Sequence, residues 1–249
     1  MKEYRPSKQE LELAKECNMN ISEESLGGYV KASHAFPYGD YNTRCPGLWQ
    51  WAHDALHISS VLDVGCGEGH SAAYFKEIGC EVLGIDGSIE AKKNSRIHGS
   101  HIVHDFDDGP FIPEKKYDLI WSCEFVEHVD EDKVDNIMKT FGFSKKYIMM
   151  TFAAPGQIGW HHVNCKPAEY WIKKMLKIGF RLDLKLTKIA RSMAGSSHFT
   201  ERGLIFIRSN IIIGLITFRR YKIMNTPIIR RLYKTLEPIR QWLIRQRNI

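Results

Sequence analysis

From residue 46 onward, short apolar runs of strand length alternate with stretches in which apolar residues recur every three to four positions. That alternation is the βαβ rhythm of a parallel sheet covered on both sides. It predicts a helix near 47–57, a strand over 60–64, a helix over 69–78, a strand over 81–85 and a helix over 88–97. A short strand at 101–104, a strand at 117–122, a helix near 130–140 and a strand at 145–151 follow, which makes five parallel strands. Pro167 at a helix start, apolar Tyr170, Trp171, Met175 and Leu176, and Gly179 just past the end predict a helix over 167–178. Two strands, at 181–187 and 203–208, with a Gly/Ser-containing connection, suit an antiparallel hairpin at the sheet edge. The expected fold is α/β: a Rossmann-like seven-stranded sheet, mostly parallel with an antiparallel edge hairpin, and helices on both faces. Upstream, 8–17 reads as a short helix, and 18–46, rich in Gly, Pro, Asn and Tyr, as an ordered loop suited to a lid or substrate rim.

A chain of 249 residues accommodates one large α/β domain with extensions. The expected division is an N-terminal helix and rim over 1–46, a catalytic domain over 47–209 and a helical tail over 210–249. Hydrophobic residues at 43% and charged residues at 26% exclude disordered and fibrous classes. The six cysteines, Cys17, Cys45, Cys66, Cys80, Cys123 and Cys165, form no CxxC pair and no zinc-like spacing, so reduced thiols are expected. The N-terminal residues carry charges with no apolar stretch behind them, unlike a secretory signal, so a cytoplasmic address is expected. The apolar run 211–218 is far short of the roughly 20 residues of a membrane-spanning helix.

The chemistry concentrates where Val61-Leu62-Asp63-Val64 runs into Gly65-Cys66-Gly67-Glu68-Gly69 and then into a helix. Glycines at 65, 67 and 69 let the backbone turn sharply and approach a ligand closely. Asp63 can meet a cationic amine. The next strand ends in Asp86-Gly87, 23 positions after Asp63 and hence at the tip of the adjacent strand, where a carboxylate suits a ribose diol. A dinucleotide fold wants GxGxxG, but His70 occupies its third glycine position; the pattern is GxGxG.

DVGCGEG followed by an apolar strand ending in Asp resembles the first two motifs of class I S-adenosylmethionine-dependent methyltransferases. The resemblance implies that S-adenosyl-L-methionine is the cofactor and that Asp63, Gly65, Cys66, Gly67, Gly69, Asp86 and Gly87 hold it. His104-Asp105-Phe106 stands where these enzymes place an acid near the adenine, which adds Asp105 and Phe106. The run from Tyr117 through Ser122, Cys123 and Glu124 to Glu127-His128-Val129 resembles the fourth-strand motif and the EH stretch after it. It implies that backbone around Ser122 and Glu124 faces the methionine part. Glu127 beside His128 at a helix start also fits a structural pair that satisfies the helix dipole.

Methyl transfer from a sulfonium is an in-line displacement, so alignment supplies much of the catalysis. A hydroxyl acceptor must also lose a proton, which calls for a base. His161 and His162, next to Trp160 and Asn164 and just after the fifth strand, are the candidates. Capping of the following helix by one of them is the structural alternative. The segment Gly39-Asp40-Tyr41-Asn42-Thr43-Arg44-Cys45-Pro46-Gly47-Leu48-Trp49 and residues 161–171 resemble a bacterial-type subgroup that accompanies glycosyltransferases in glycan biosynthesis. That resemblance implies O-methylation of a sugar hydroxyl. There is no D/N-PP-aromatic stretch, no Pro-Cys nucleophile and no double-glutamate loop, which lowers base and protein methylation. The acids Asp105, Asp107, Asp108, Asp130 and Asp132 have no spacing that singles out a metal site.

Net charge is +6, yet residues 210–249 hold nine Arg or Lys against Glu237, a net +8, which leaves −2 for the remaining 209 residues. Any anionic partner is therefore expected at the C-terminus. Ile and Leu interleave with Arg over 228–234 and 239–245, so the tail reads as a basic amphipathic helix. It suits peripheral contact with the inner face of a membrane, packing on the body or on a second copy in a homodimer, and, as a third choice, RNA. Three functions stay open: a glycan or small-molecule O-methyltransferase, a nucleic-acid methyltransferase, and a catalytically silent cofactor-binding adaptor.

Overall fold

The computed structural model describes residues 40–195 and 197–227. The helix expected at 8–17, almost all of the 18–46 rim and the amphipathic stretches at 228–234 and 239–245 lie outside the described residues.

Helix α1 (Pro46–Leu56) leads into β1 (Ser60–Val64), α2 (His70–Glu77), β2 (Glu81–Asp86), α3 (Ile89–Lys93) and β3 (His101–Val103). Then come β4 (Tyr117–Ser122), α4 (Val134–Phe141), β5 (Ser144–Met150) and α5 (Ala168–Lys177). The chain ends its described part with β6 (Phe180–Leu182), α6 (Leu184–Met193), α7 (His198–Arg202), β7 (Leu204–Arg208) and α8 (Ile211–Met224). The seven strands lie in the order β3-β2-β1-β4-β5-β7-β6. The first five are parallel, and β7 runs antiparallel to both β5 and β6.

Strand side chains alternate between two cores because successive residues point to opposite faces. Leu62, Val64, Ile120, Ile148, Met150 and Phe206 join α4 and α5 on one face, where Ile137, Phe141, Trp171 and Met175 are buried. Val61, Leu119, Trp121, Met149 and Ile205 join α1, α2, α6 and α7 on the other, with Trp49, Phe75, Ala190 and Phe199. Trp121 stacks on Phe199 with centroids 5.4 Å apart. Every residue of β1 and β4 is buried, as in a sheet covered on both faces.

Two expectations need correction. The strand foreseen at 181–187 stops at Leu182, and α6 begins at Leu184. Leu182, Leu184 and Leu186 alternate with polar residues like a strand, but the Asp183 carboxylate accepts from the Leu186 N–H at 3.0 Å and caps a helix whose buried residues, Thr187 and Ala190, are three apart. The edge pair is thus no hairpin: two helices connect β6 to β7, and β7 lies between β5 and β6. The helix foreseen at 88–97 also closes early, at Lys93.

In the tail, α8 packs on β6 and α5, with Phe218 and Tyr221 against the core. Its Ile212, Ile213, Leu215, Ile216 and Ile223 are exposed alongside Arg219 and Arg220, so this part does not separate an apolar from a cationic face. No helix among the described residues is long and apolar enough to cross a membrane. Cys45, Cys66, Cys80, Cys123 and Cys165 are free thiols, buried except for Cys165.

Candidate active site

The loops after β1, β2, β3, β4 and β5 all leave the same carboxyl edge of the sheet. The strand order reverses at β1 and β4, the switch point at which open α/β sheets form a ligand crevice. Gly65, Gly67 and Gly69 all have left-handed backbones, with φ of 73°, 52° and 79°. At Gly65 a Cβ would fall 2.3 Å from the Phe125 ring, so the glycine lets the loop after β1 touch the loop after β4.

Asp86 is tied to this loop: its Oδ2 accepts from the Gly67 N–H at 2.8 Å and its Oδ1 from the Ser88 N–H at 2.9 Å. Burial raises its pKa above the ordinary carboxylate range. Gly87 follows it and Cys66 is buried beneath, its Sγ 3.6 Å from His101 Nε2. Asp63 is only 1% exposed, and its carboxylate faces Ser71 Oγ at 2.5 Å and the start of α2. It braces β1 against α2. Burial pushes its pKa up to about 7.

Asp105 is half-buried and caps the turn Phe106–Asp108, accepting from the Asp107 N–H at 2.9 Å. Phe106 is buried against Phe125, centroids 5.6 Å apart, which places it beside the glycine loop. At the end of β4, Ser122 is buried and its Oγ has no hydrogen-bond partner. Glu124 holds a left-handed backbone, φ 50°, fixed from two sides by Thr151: its N–H donates to Thr151 Oγ1 at 2.7 Å, and its Oε1 accepts from the same hydroxyl at 2.8 Å.

His161 and His162 sit on the loop between β5 and α5, and neither caps α5, whose N-cap is Pro167 with no side-chain bond. The loop is pinned to the Val126–His128 turn. The Val163 and Asn164 N–H groups both donate to the Glu127 carbonyl at 3.0 Å, and His128 Nδ1 donates to the His161 carbonyl at 3.0 Å. His161, with φ 51°, stacks its ring on His128. His162 Nδ1 lies 3.3 Å from the Gln157 carbonyl. Burial drives the His128 pKa down to about 3 and lowers that of His162, while burial and the Glu124 charge push Glu127 up to about 8.

The structure adds a group that sequence reasoning missed. His198, at the start of α7, sets Nε2 3.1 Å from Asp40 Oδ2 and 3.9 Å from Glu124 Oε2. Burial alone would lower its pKa, but the bond to Asp40 and the charges of Glu124 and Asp40 outweigh burial and hold it above the ordinary value. Asp40 is correspondingly lowered: burial raises it, and His198 more than compensates. The partners are 158 residues apart in sequence, so no local motif announces them.

Residues 32–154 match the family model of the methyltransferase domain. Among curated proteins, the chain is 30% identical over 76 residues to a ubiquinone biosynthesis O-methyltransferase of Rhodopseudomonas palustris (strain TIE-1), covering 28% of this chain and 30% of that protein. It is 36% identical over 126 residues to a chloroplastic tocopherol O-methyltransferase of Arabidopsis thaliana, covering 45% and 33%. The chain thus spans about a third of the length of these relatives. A crystal structure of a TehB-like SAM-dependent methyltransferase from Corynebacterium glutamicum superposes with a TM-score of 0.50 at 19% identity, covering 71% of this chain and 91% of that one, and shares its fold.

Proposed function

We propose that this chain, whose residues 32–154 match the methyltransferase-domain family model, is a class I S-adenosylmethionine-dependent methyltransferase that methylates a hydroxyl oxygen of a small-molecule acceptor. The observation that carries this reading is the Asp40–His198 pair beside Glu124 at the end of β4. A hydroxyl must shed a proton as it attacks, and a histidine oriented by a carboxylate on its other side is equipped to take it.

The cofactor suits the residues at the crevice: a glycine loop free of Cβ atoms, Asp86 anchored at the tip of β2, and the unpartnered Ser122 hydroxyl. In this reading Asp86 and Gly87 hold the ribose, Asp105 and Phe106 flank the adenine, and Gly65, Cys66, Gly67 and Gly69 form the cradle. Asp63 supports that cradle from beneath, and Ser122 and Glu124 border the methionine end. S-adenosylmethionine bound there supplies the electrophilic methyl group. His198, whose Nε2–H donates to Asp40, accepts the acceptor's proton at Nδ1, while Asp40 and Glu124 stabilise the imidazolium. His161 and His162 belong to the acceptor wall, since His162 feels the charges of both Glu124 and His198.

For the acceptor we favour a sugar hydroxyl, supported by the likeness of residues 39–49 and 161–171 to the glycan-associated subgroup. The names of the relatives bring ubiquinone-type and tocopherol-type small molecules into the same test. The test is S-adenosylhomocysteine release by the full chain across glycosides, phenols, carboxylic acids and RNA, with Asp86→Ala as the control. Turnover on a hydroxyl acceptor, lost in that variant, is the expected result. Cofactor binding with no turnover on the whole panel would overturn the reading in favour of an adaptor, and turnover on RNA alone would favour a nucleic-acid enzyme.

A further inference from the structure

Glu127, His128 and His162 each offer a ligand atom, and the three atoms lie within 4.8 Å of one another. We propose that they form a binding site for one divalent transition-metal ion, held by two imidazoles and one carboxylate.

The first support is the Glu127 carboxylate. It is 0% exposed and neither oxygen has a hydrogen-bond partner. A buried carboxyl group with no partner is costly whether it keeps its proton or loses it, and a directly bound cation offsets that cost. The second support is the orientation of the two rings. His128 Nδ1 faces the His161 carbonyl at 3.0 Å, and His162 Nδ1 faces the Gln157 carbonyl at 3.3 Å. A carbonyl cannot donate, so each Nδ1 carries the proton and each Nε2 keeps its lone pair. Metal-binding histidines are fixed in this way, with the far nitrogen donating to a carbonyl.

The third support is that the scaffold exists without the ion. The Val163 and Asn164 N–H groups hold the His162 loop to the Glu127 carbonyl. Gly159 makes room for the His162 ring: a Cβ there would fall 2.2 Å from its nearest atom. Tetrahedral coordination at about 2.1 Å separates ligand atoms by about 3.4 Å, so closure needs side-chain movements on the order of 1 Å. Two nitrogens and one oxygen favour a first-row transition ion over magnesium or calcium, which prefer oxygen ligands. Three protein ligands leave a coordination position for water or an acceptor oxygen.

The experiment uses the full chain stripped of metal, without cofactor or acceptor, so its outcome is separate from that of the methyl-transfer panel. Co2+ is added and followed by visible absorption, and Zn2+ is titrated calorimetrically. The expected result is one Co2+ per chain, displaced by Zn2+, with His162→Ala and Glu127→Gln each weakening Zn2+ binding at least about tenfold and His53→Ala, at a half-buried position on α1, leaving it unchanged. Melting curves in chelator verify that the variants fold, and His162→Gln replaces His162→Ala if it does not. Substoichiometric binding, or parent-like affinity in the folded His162 and Glu127 variants, overturns the site.

Discussion

The backbone N–H of Gly67 and the carboxylate of Asp86 meet at 2.8 Å, joining the loop after β1 to the tip of β2. A carboxylate oxygen accepts more than one hydrogen bond, so Asp86 can brace the loop and still receive ribose hydroxyls. Asp86→Ala is expected to weaken S-adenosylhomocysteine binding by about tenfold or more, roughly 1.4 kcal/mol. Calorimetric titration measures it, and an unchanged affinity would remove Asp86 from the site.

Gly65 and Gly67 both have positive φ, but they differ in surroundings: a Cβ at Gly65 strikes Phe125, whereas one at Gly67 meets nothing within 4 Å. Gly67→Ala should therefore cost only the backbone strain, about 1–2 kcal/mol. Gly65→Ala should add overpacking of about 1–3 kcal/mol. Denaturant unfolding of the two variants side by side tests the order; equal losses would mean that Phe125 swings aside freely.

Burial sets the pH behaviour of Asp63. Its pKa rises from the ordinary 3.8 to about 7 in the fold, so the folded state binds the proton more tightly. The stability this confers is whole below pH 3.8 and is lost as pH rises through about 7. Stability of the parent relative to Asp63→Asn should fall across that window, by at most about 1.4 kcal/mol per pH unit. Parallel pH curves for the two proteins would show that Asp63 does not titrate there.

His198 should govern the acid limb of the pH–rate profile. Burial lowers its pKa, and the bond to Asp40 with the charges of Glu124, Asp40 and Glu127 more than offsets that. Activity should fall as pH drops through a value above 6.5, the ordinary one. Asp40→Asn should move that limb to lower pH and reduce kcat. His198→Ala should lose about 10²–10⁴ in kcat/KM with S-adenosylhomocysteine affinity unchanged. Full activity in His198→Ala would pass the role of base to another group.

The glycine loop and the strands from β1 to β5 are legible in the sequence because their signals are local: apolar runs, positive-φ glycines and an acid at a fixed distance. Features built by convergence are not. Asp40 meets His198 only because α7 and the segment before α1 share one end of the sheet. Glu127-His128 reads as a dipole-satisfying pair until the loop after β5 brings His162 beside it. Residues 182–186 mislead for a different reason, since a short Leu alternation fits both periods and the Asp183 cap decides between them.

The position of β7 constrains how the chain can be made. Between β5 and β6 lies a strand that leaves the ribosome after both, so the backbone of Tyr147 through Met150 has no partner on that side until residues 204–207 emerge. During synthesis the nascent domain presents an open, apolar strand edge, the kind of surface that templates aggregation and recruits chaperones. A stop codon shortly before Leu204 would make that transient state permanent, turning the loss of everything from Leu204 onward into a solubility defect rather than a trimmed enzyme.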